Sequence, residues 1–252
     1  MKYLEIINEI KKKYDNQIIT RGQIVIIFNK IYNNENEKTF RNMIGMFKSK
    51  NIITEIEKDK YILVTKDIFS FESSNEISKI YNTIQKEYSE INFIVWNTEI
   101  INEFTLHYST NNYIIVEVEK IVIELVVNLL KEKYLNKYTI VTQNILNNNR
   151  EMYLNIEKFI VVKPLLAKAP LKSKENNKYI TIEKIMVDLY KDKLYLQYQG
   201  KELKTIYENI FDKYNINMKK LFNYAKLRID IEEYKKYINE LNISQIYKMK
   251  EE

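Results

Sequence analysis

The chain has 252 residues, 45% of them apolar, so its length suits two domains and its composition favours a packed core over global disorder. It contains no cysteine, which excludes disulfide bonds, thiolate metal sites and a cysteine nucleophile. The net charge is +6, but Asn, Ile, Lys and Tyr are so abundant that a genome rich in A and T accounts for much of the lysine. Residues 1–70 carry 13 basic and 9 acidic groups, against 27 and 25 in residues 71–252, so the first quarter is the more basic part.

Nothing in the sequence suggests a membrane span or a secretion signal. The most apolar run, IVIELVVNLL, is interrupted by Glu124 and Asn128 and is shorter than the roughly 18 residues that a bilayer requires. The first residues, MKYLEIINEIKKKY, have the pattern of an amphipathic helix rather than of a signal peptide. We therefore expect a cytoplasmic protein without a membrane partner.

The first quarter has the element order of a winged helix-turn-helix. The N-terminal amphipathic helix is followed by Thr20, which is suited to cap a second helix over RGQIVIIFNKIY. A third helix is predicted over 37–50, and two β-rich runs, IITEIE and KYILVT, meet at a turn that contains Lys58. Three helices and a hairpin predict a DNA-binding domain over residues 1–68.

The third predicted helix has two contrasting faces. One face carries a buried stripe with the spacing i, i+3, i+4 and i+7, formed by Phe40, Met43, Ile44 and Phe47. The opposite side carries cations, an amide and Gly45, which suits a DNA groove because Lys and Arg neutralise phosphates while Asn and Arg bond to base edges. The predicted DNA contacts are Arg21, Lys38, Arg41, Asn42 and Lys48, with Lys58 and Lys60 at the hairpin tip. The alternative is a winged helix used only for protein contacts, with Gly45 packed against a neighbour.

The remainder predicts an α/β domain with a helical C-terminal end, which makes the whole chain α/β (α+β). We expect a polar linker over 69–78 and an α/β domain over 79–252. Strands are predicted at INFIVW, YIIVEVE, KYTIVTQ and EKFIVVKPL, and helices at 76–89, 98–106, 120–134, 180–191, 201–214, 217–228 and 230–241.

Two helices of this end suggest a charged cluster. In ITIEKIMVDLY, the apolar residues form a buried stripe, and Glu183, Lys184 and Asp188 are assigned to the polar side. Glu183 or Asp188 can meet Arg228, the last residue of INMKKLFNYAKLR. The cluster is either a surface presented to a partner or an interhelical ion pair.

Motifs for catalysis are incomplete. The three glycines open neither a phosphate-binding loop nor the Gly-Ser turn of a nucleotidyltransferase. In YIIVEVEK, Glu117 and Glu119 share a strand face, but the spacing departs from the Asp…Glu-x-Lys pattern of nucleases. We expect no catalytic residue, metal or cofactor, and a metal-dependent enzyme acting on nucleotides or DNA through these acids is the less favoured alternative.

Several stretches together resemble the AbiEi-type antitoxins of type IV, abortive-infection toxin–antitoxin systems. They are KSKNIITEIEKDKYIL, INFIVWNTEIINEFTLH, YIIVEVEKIVIELVVNLL, VVKPLLAKAPL, ITIEKIMVDLY and INMKKLFNYAKLR. The resemblance implies a protein that represses its own operon by binding inverted repeats with its N-terminal domain. It also implies a second domain that counters a nucleotidyltransferase toxin, typically without a stable complex.

Overall fold

The structure, a computed structural model, separates into two compact units, which are described in turn. The residues it describes are 2–14, 17–33, 36–49, 52–64, 67, 69–109, 112–153, 156, 158–174 and 177–241. Of these, residues up to 67 form the first unit and residues from Phe69 onward form the second.

The first unit combines three helices with a small sheet. In chain order its elements are α1 (Lys2–Tyr14), β1 (Ile18–Thr20), α2 (Arg21–Tyr32), α3 (Glu37–Ser49), β2 (Ile53–Glu57) and β3 (Lys60–Leu63). The sheet is antiparallel with the strand order β1-β3-β2. The three helices and the hairpin were predicted; β1 was missed, because three residues are too few to show a period of two.

Local sequence accounts for the ends of α2 and for the packing of α3. The Thr20 side chain accepts a hydrogen bond from the Gln23 amide, and the Gln23 side chain accepts one from the Thr20 amide at 2.8 Å, so both groups are satisfied at the predicted cap. Asn33 ends α2 in the left-handed conformation, with a φ of 56°. The predicted apolar stripe of α3 is buried against residues of α1, α2 and the sheet.

The second unit contains a four-stranded sheet between two layers of helices. Its first elements are α4 (Asn75–Glu87), β4 (Phe93–Asn97), β5 (Tyr113–Val118), α5 (Ile123–Tyr134), β6 (Thr139–Thr142), α6 (Gln143–Asn148) and β7 (Phe159–Pro164). The strand order is β4-β5-β7-β6, with β4 antiparallel to β5 and the other pairings parallel. Both faces of the sheet are covered, which is why its strands are continuous apolar runs.

A hairpin and four helices complete this unit. They are β8 (Leu171–Lys174), β9 (Asn177–Ile180), α7 (Ile182–Lys191), α8 (Lys201–Lys213), α9 (Met218–Ala225) and α10 (Ile231–Glu240). The mixed α/β class and the helical C-terminal end are therefore as predicted. The hairpin β8–β9 and the short helix α6 were not predicted, because neither is long enough to show a clear period.

Chain direction places the carboxyl ends of β5 and β7 at a topological switch point. After β5 the chain enters α5 on one face of the sheet, whereas after β7 it continues through the hairpin to α7 on the other face. Residues near the ends of these adjacent parallel strands therefore lie where α/β sheets commonly bind ligands. Glu117 and Lys163 are paired in register at this position.

The predicted linker over 69–78 differs from what the structure contains. Phe69 is buried in the core of the second unit, where its ring meets that of Tyr214 at a centroid distance of 5.4 Å. Ser74 caps α4 by accepting a hydrogen bond from the Ile77 amide, so helix begins within the segment. The serines of this segment suggest a linker in sequence, but Ser74 is the N-cap of α4 and the residues before it lead into that helix.

Within the described residues, none of the helices combines the length and the apolarity needed to cross a bilayer.

Candidate nucleic-acid interface

The face of α3 opposite its buried stripe is open to solvent. Lys38, Arg41 and Asn42 are exposed, and 74% of the Arg41 side chain is accessible. Gly45 lies on the same side, and a methyl group added there would meet no atom within 4 Å. The interpretation that Gly45 packs against a neighbour is therefore wrong for the residues described. Instead, its bare backbone leaves room for another molecule to approach this face.

An acidic residue at the start of α3 partly neutralises this surface. The Glu37 carboxylate accepts hydrogen bonds from Arg21 and from Arg41, the latter at 2.8 Å. The hydrogen bond from Arg41 lowers the pKa of Glu37 below its usual value. Glu37 was not considered when the basic face was predicted, although it lies one turn before Arg41 on the same helix.

Acidic residues also accompany the cations of the hairpin. Lys48 forms an ion pair with Glu55, which joins α3 to β2, and Lys60 pairs with Glu57 at 3.1 Å. The hydrogen bond from Lys48 lowers the pKa of Glu55. Lys58 is exposed at the tip, so the predicted contact residue there is accessible.

Arg21 connects three parts of the first unit. Besides Glu37, it meets Asp59, with 3.7 Å between Nε and Oδ1, and its guanidinium carbon lies 5.1 Å from the centroid of the Phe40 ring. Its amide also donates to the Asp59 carbonyl at 2.8 Å. About a third of its side chain is exposed, so Arg21 positions the hairpin tip against α2 and α3 while keeping one edge accessible.

The seven predicted contacts therefore divide into two groups. Four are cations in ion pairs with acids of the same unit: Arg21, Arg41, Lys48 and Lys60. Lys38, Asn42 and Lys58 are exposed, and their side chains make neither an ion pair nor a hydrogen bond with another residue of the described ranges. The second group can receive a ligand without first giving up a partner.

The second unit contains a buried ion network at the switch point. Lys184 on α7 donates from Nζ to Glu117 Oε1 at 2.7 Å and to Asp188 Oδ2 at 2.6 Å. Trp96 Nε1 donates to the same Glu117 oxygen at 3.0 Å. All four side chains are almost fully buried, so these groups have exchanged water for one another.

A third carboxylate, that of Asp192, extends the network towards the surface. Asp192 accepts from Lys163 Nζ at 2.8 Å, from Arg228 Nη2 at 3.2 Å and from Gln143 Nε2 at 2.5 Å. It also caps the 3-10 helix that follows α7, Lys193–Tyr198, by accepting a hydrogen bond from the Leu194 amide. Arg228 is the most accessible member, with 25% of its side chain exposed.

Charges within the network balance, three cations against three carboxylates: Lys163, Lys184 and Arg228 against Glu117, Asp188 and Asp192. Burial alone would raise the pKa of Asp188, but the charges of Lys184, Lys163 and Arg228 outweigh it and hold that pKa well below its usual value. Burial alone would lower the pKa of Lys163, but Asp188, Glu117 and Asp192 outweigh it and raise that pKa. The shifts thus favour the charged forms of both Asp188 and Lys163, and each cation of the network has a carboxylate partner, as a structural lock requires.

The assignment of Glu183, Lys184 and Asp188 to an exposed polar side of α7 is wrong. All three are buried, because α7 is covered on one side by the sheet and on the other by later helices. Asp188 does meet Arg228, with 3.4 Å between Oδ1 and Nε, and also accepts from the Tyr224 hydroxyl at 3.0 Å. Glu183 instead accepts from the Asn217 amide at 3.1 Å. These residues hold helices together, whereas a presented surface would need exposed side chains.

Glu117 and Glu119 also have separate surroundings. Glu117 is enclosed in the ion network, whereas Glu119 follows the end of β5 and accepts from the Asn92 side chain at 2.7 Å. Sequence inspection did not bring Glu117 and Lys163 together. The available signal was a single charge near the end of each apolar strand, in YIIVEV and FIVVKP.

Comparison with curated proteins and with protein families gives different results. No curated protein matches the chain. A protein-family model described as a family of unknown function, DUF6577, matches residues 39–244, which include most of α3, the hairpin and nearly all of the second unit. By this match over most of its length, the chain belongs to the DUF6577 family.

Proposed function

We propose that this protein is a cytoplasmic DNA-binding transcriptional regulator whose first unit acts as a winged helix-turn-helix. The resemblance to AbiEi-type antitoxins extends the proposal to the antitoxin of a type IV toxin–antitoxin pair. In that role it represses its own operon at inverted repeats and counters a nucleotidyltransferase-like toxin without a stable complex.

One observation carries this proposal: the open face of α3. Its cations and amide are exposed, and Gly45 leaves the backbone accessible between them. A helix surface of this composition suits the major groove, where Arg and Asn side chains bond to guanine and adenine edges. The hairpin, with Lys58 exposed at its tip, supports the same mode because a wing contacts the flanking backbone.

The proposed docking places α3 in a major groove. Arg41 and Asn42 face base edges, while Lys38 and Lys48 meet phosphates. Lys58 and Lys60 reach the adjacent backbone. On binding, a base or phosphate replaces Glu37 as the partner of Arg41. The ion pairs of the free protein are therefore broken when DNA binds, and their loss enters the binding free energy.

Salt dependence of binding tests the proposal and measures this exchange. The probe is a duplex carrying the promoter region upstream of the gene, titrated by fluorescence anisotropy at several salt concentrations. Phosphate contacts from Lys38, Lys48, Lys58 and Lys60 give a slope of log K against log salt of about −3 to −4, and the slope is about −4 to −5 if Arg41 also touches a phosphate. If the internal ion pairs persist on DNA, only Lys38 and Lys58 contribute and the slope is about −2. A slope near zero would remove the proposal.

The alternative is a protein-interaction module that binds a toxin directly and does not read DNA. It is favoured by the four predicted contact cations that already have acidic partners in the first unit. Stable co-purification with the product of the adjacent gene, together with a flat salt response on DNA, would select this alternative. Because the network around Asp188 is buried, a toxin contact on the second unit would use other residues.

A further inference from the structure

Helix α5 carries an exposed stripe that the rest of its unit does not use. The stripe consists of Leu125, Asn128, Glu132 and Leu135, all exposed, with 52% of Leu125 and 65% of Leu135 accessible. Leu135 follows the last residue of α5 but keeps helical backbone angles, with a φ of −59° and a ψ of −29°. The spacing of three, four and three residues places all four on one side of the helix, as in the seam of a coiled coil.

The stripe points away from the second unit. At 100° per residue, its four members fall within an arc of about 80°. The opposite side of α5 carries Val126, Val127 and Leu130, which are buried against the sheet. Ile121, with 88% of its surface accessible, precedes α5 and adds another exposed apolar side chain near its start. Leu125 lies within α5, Ile121 precedes it and Leu135 follows it, so exposed apolar side chains lie near both ends of this short helix.

We propose that this stripe binds the same stripe of a second copy of the chain, with the two helices antiparallel. The order Leu, Asn, Glu, Leu is self-complementary in that arrangement. A two-fold axis at the middle of the stripe brings Leu125 against Leu135 of the other copy, at both ends of the contact. Between these apolar ends, the Asn128 amide of each copy donates to the Glu132 carboxylate of the other.

Electrostatics select the antiparallel arrangement over the parallel one. In a parallel pair each residue meets its own equivalent, so the two Glu132 carboxylates would repel in the middle of the contact. In the antiparallel pair each carboxylate faces an amide instead. Lys133 pairs with Glu132 through Oε1 at 2.6 Å, which leaves the Oε2 atom to accept from the other copy.

The contact is small, so the association is weak. Twelve helical residues span about 18 Å, and a contact of that length is at the low end of specific protein interfaces. We expect a reversible dimer in the micromolar range or weaker. If the proposed function holds, the two-fold symmetry of such a dimer matches that of inverted repeats, and DNA would strengthen the association by bringing two copies together. Self-association does not itself depend on DNA binding.

Sedimentation velocity on the full chain without DNA, from micromolar to submillimolar concentration, tests the proposal through two complementary variants. L125E and L135K should each remain monomeric, because each buries an unpaired charge against leucine. Mixed in equal amounts they should associate, because the new carboxylate then faces the new ammonium group across the contact. The control L106E changes another exposed leucine of the second unit, 70% accessible, and should associate like the unaltered protein.

Other outcomes would overturn the proposal. If the unaltered protein stays monomeric at all concentrations, the proposed contact does not form. If the mixture of L125E and L135K stays monomeric, the antiparallel arrangement is wrong. Loss of association in L106E would mean that the chain associates through a surface other than the stripe on α5. Far-UV circular dichroism confirms that the variants are folded, which their exposed positions lead us to expect. L125E should still bind a DNA half-site as the unaltered protein does, so failure of the dimer and failure of the proposed function are separately visible.

Discussion

The two units use the same kinds of ion pair in opposite surroundings. In the first unit, Arg41 and Glu37 pair while 74% and 49% of their side chains remain exposed. In the second, Lys184 and Glu117 pair with 0% and 2% exposed. Exposed pairs contribute about 0–1 kcal/mol because water and salt screen them, whereas removing one partner of a buried pair costs about 3–5 kcal/mol.

This difference separates charges that can change partners from charges that cannot. An arginine on α3 loses little when a phosphate or a base replaces its carboxylate. A lysine inside the network cannot exchange its partners in this way, because without it the buried carboxylates would have no compensating charge. The first unit is therefore suited to recognition, and the network of the second to holding sheet and helices in one arrangement.

The largest expected effect is on the stability of the second unit. K184M should lower its free energy of unfolding by about 3–5 kcal/mol, because Glu117 and Asp188 lose their shared cation. Denaturant titration monitored by tryptophan fluorescence reports this unit alone, since Trp96 is the single tryptophan and donates to Glu117. The control K191M removes an exposed partner of Glu233 and should change the free energy of unfolding far less than K184M, because water and salt screen that pair. Equal effects of the two variants would contradict the comparison.

A second effect concerns pH. The pKa of Asp188 is depressed in the folded state, so its contribution to stability is present above its ordinary value of 3.8 and is lost as pH falls through the folded value. The pKa of Lys163 is raised, so its contribution is present below its ordinary value of 10.5 and is lost only at higher pH. The Trp96 unfolding midpoint should therefore respond little to these two groups between about pH 5 and 9 and fall below about pH 4. A marked fall within the neutral range would contradict an ionised network.

A third effect concerns DNA affinity. R41A should weaken binding to the promoter duplex by about 1–3 kcal/mol if Arg41 reads a base. The charge-matched control K204A removes an exposed lysine of the second unit, which has Glu208 as its neighbour, and should leave affinity nearly unchanged. Anisotropy titrations at one fixed salt concentration make the comparison. An R41A affinity equal to that of the unaltered protein would exclude Arg41 from the interface.

The smallest effect tests the exchange of partners. E37Q removes the carboxylate that holds Arg21 and Arg41 and should strengthen DNA binding slightly, by less than R41A weakens it, because water and salt screen an exposed pair. Its control, E208Q, removes one negative charge from the second unit. Weaker binding by E37Q than by E208Q would mean that Glu37 is needed to position the arginines, and that its ion pairs persist on DNA.

Periodicity predicted much of the fold. The stripe that starts at Phe40 and the cap at Thr20 follow from local spacing and side-chain chemistry, and both are present. The polar side assigned to α7 was wrong, because a helix pattern does not say how many neighbours will cover it. Asp188 and Lys184 are four residues apart on one helix, a spacing equally typical of a solvated pair and of the buried one observed.

The sequence by itself determined where most of the longer helices and strands form, and which face of α3 is apolar and which carries cations. These depend on residues within a few positions of one another. Only the tertiary structure decided which charged side chains have an oppositely charged partner and which do not. Glu37 reaches Arg21 across 16 positions, and Glu117 reaches Lys184 across 67, because helices and strands distant in the chain pack side by side. Burial then sets the strength of each pair, and burial is a property of the whole fold.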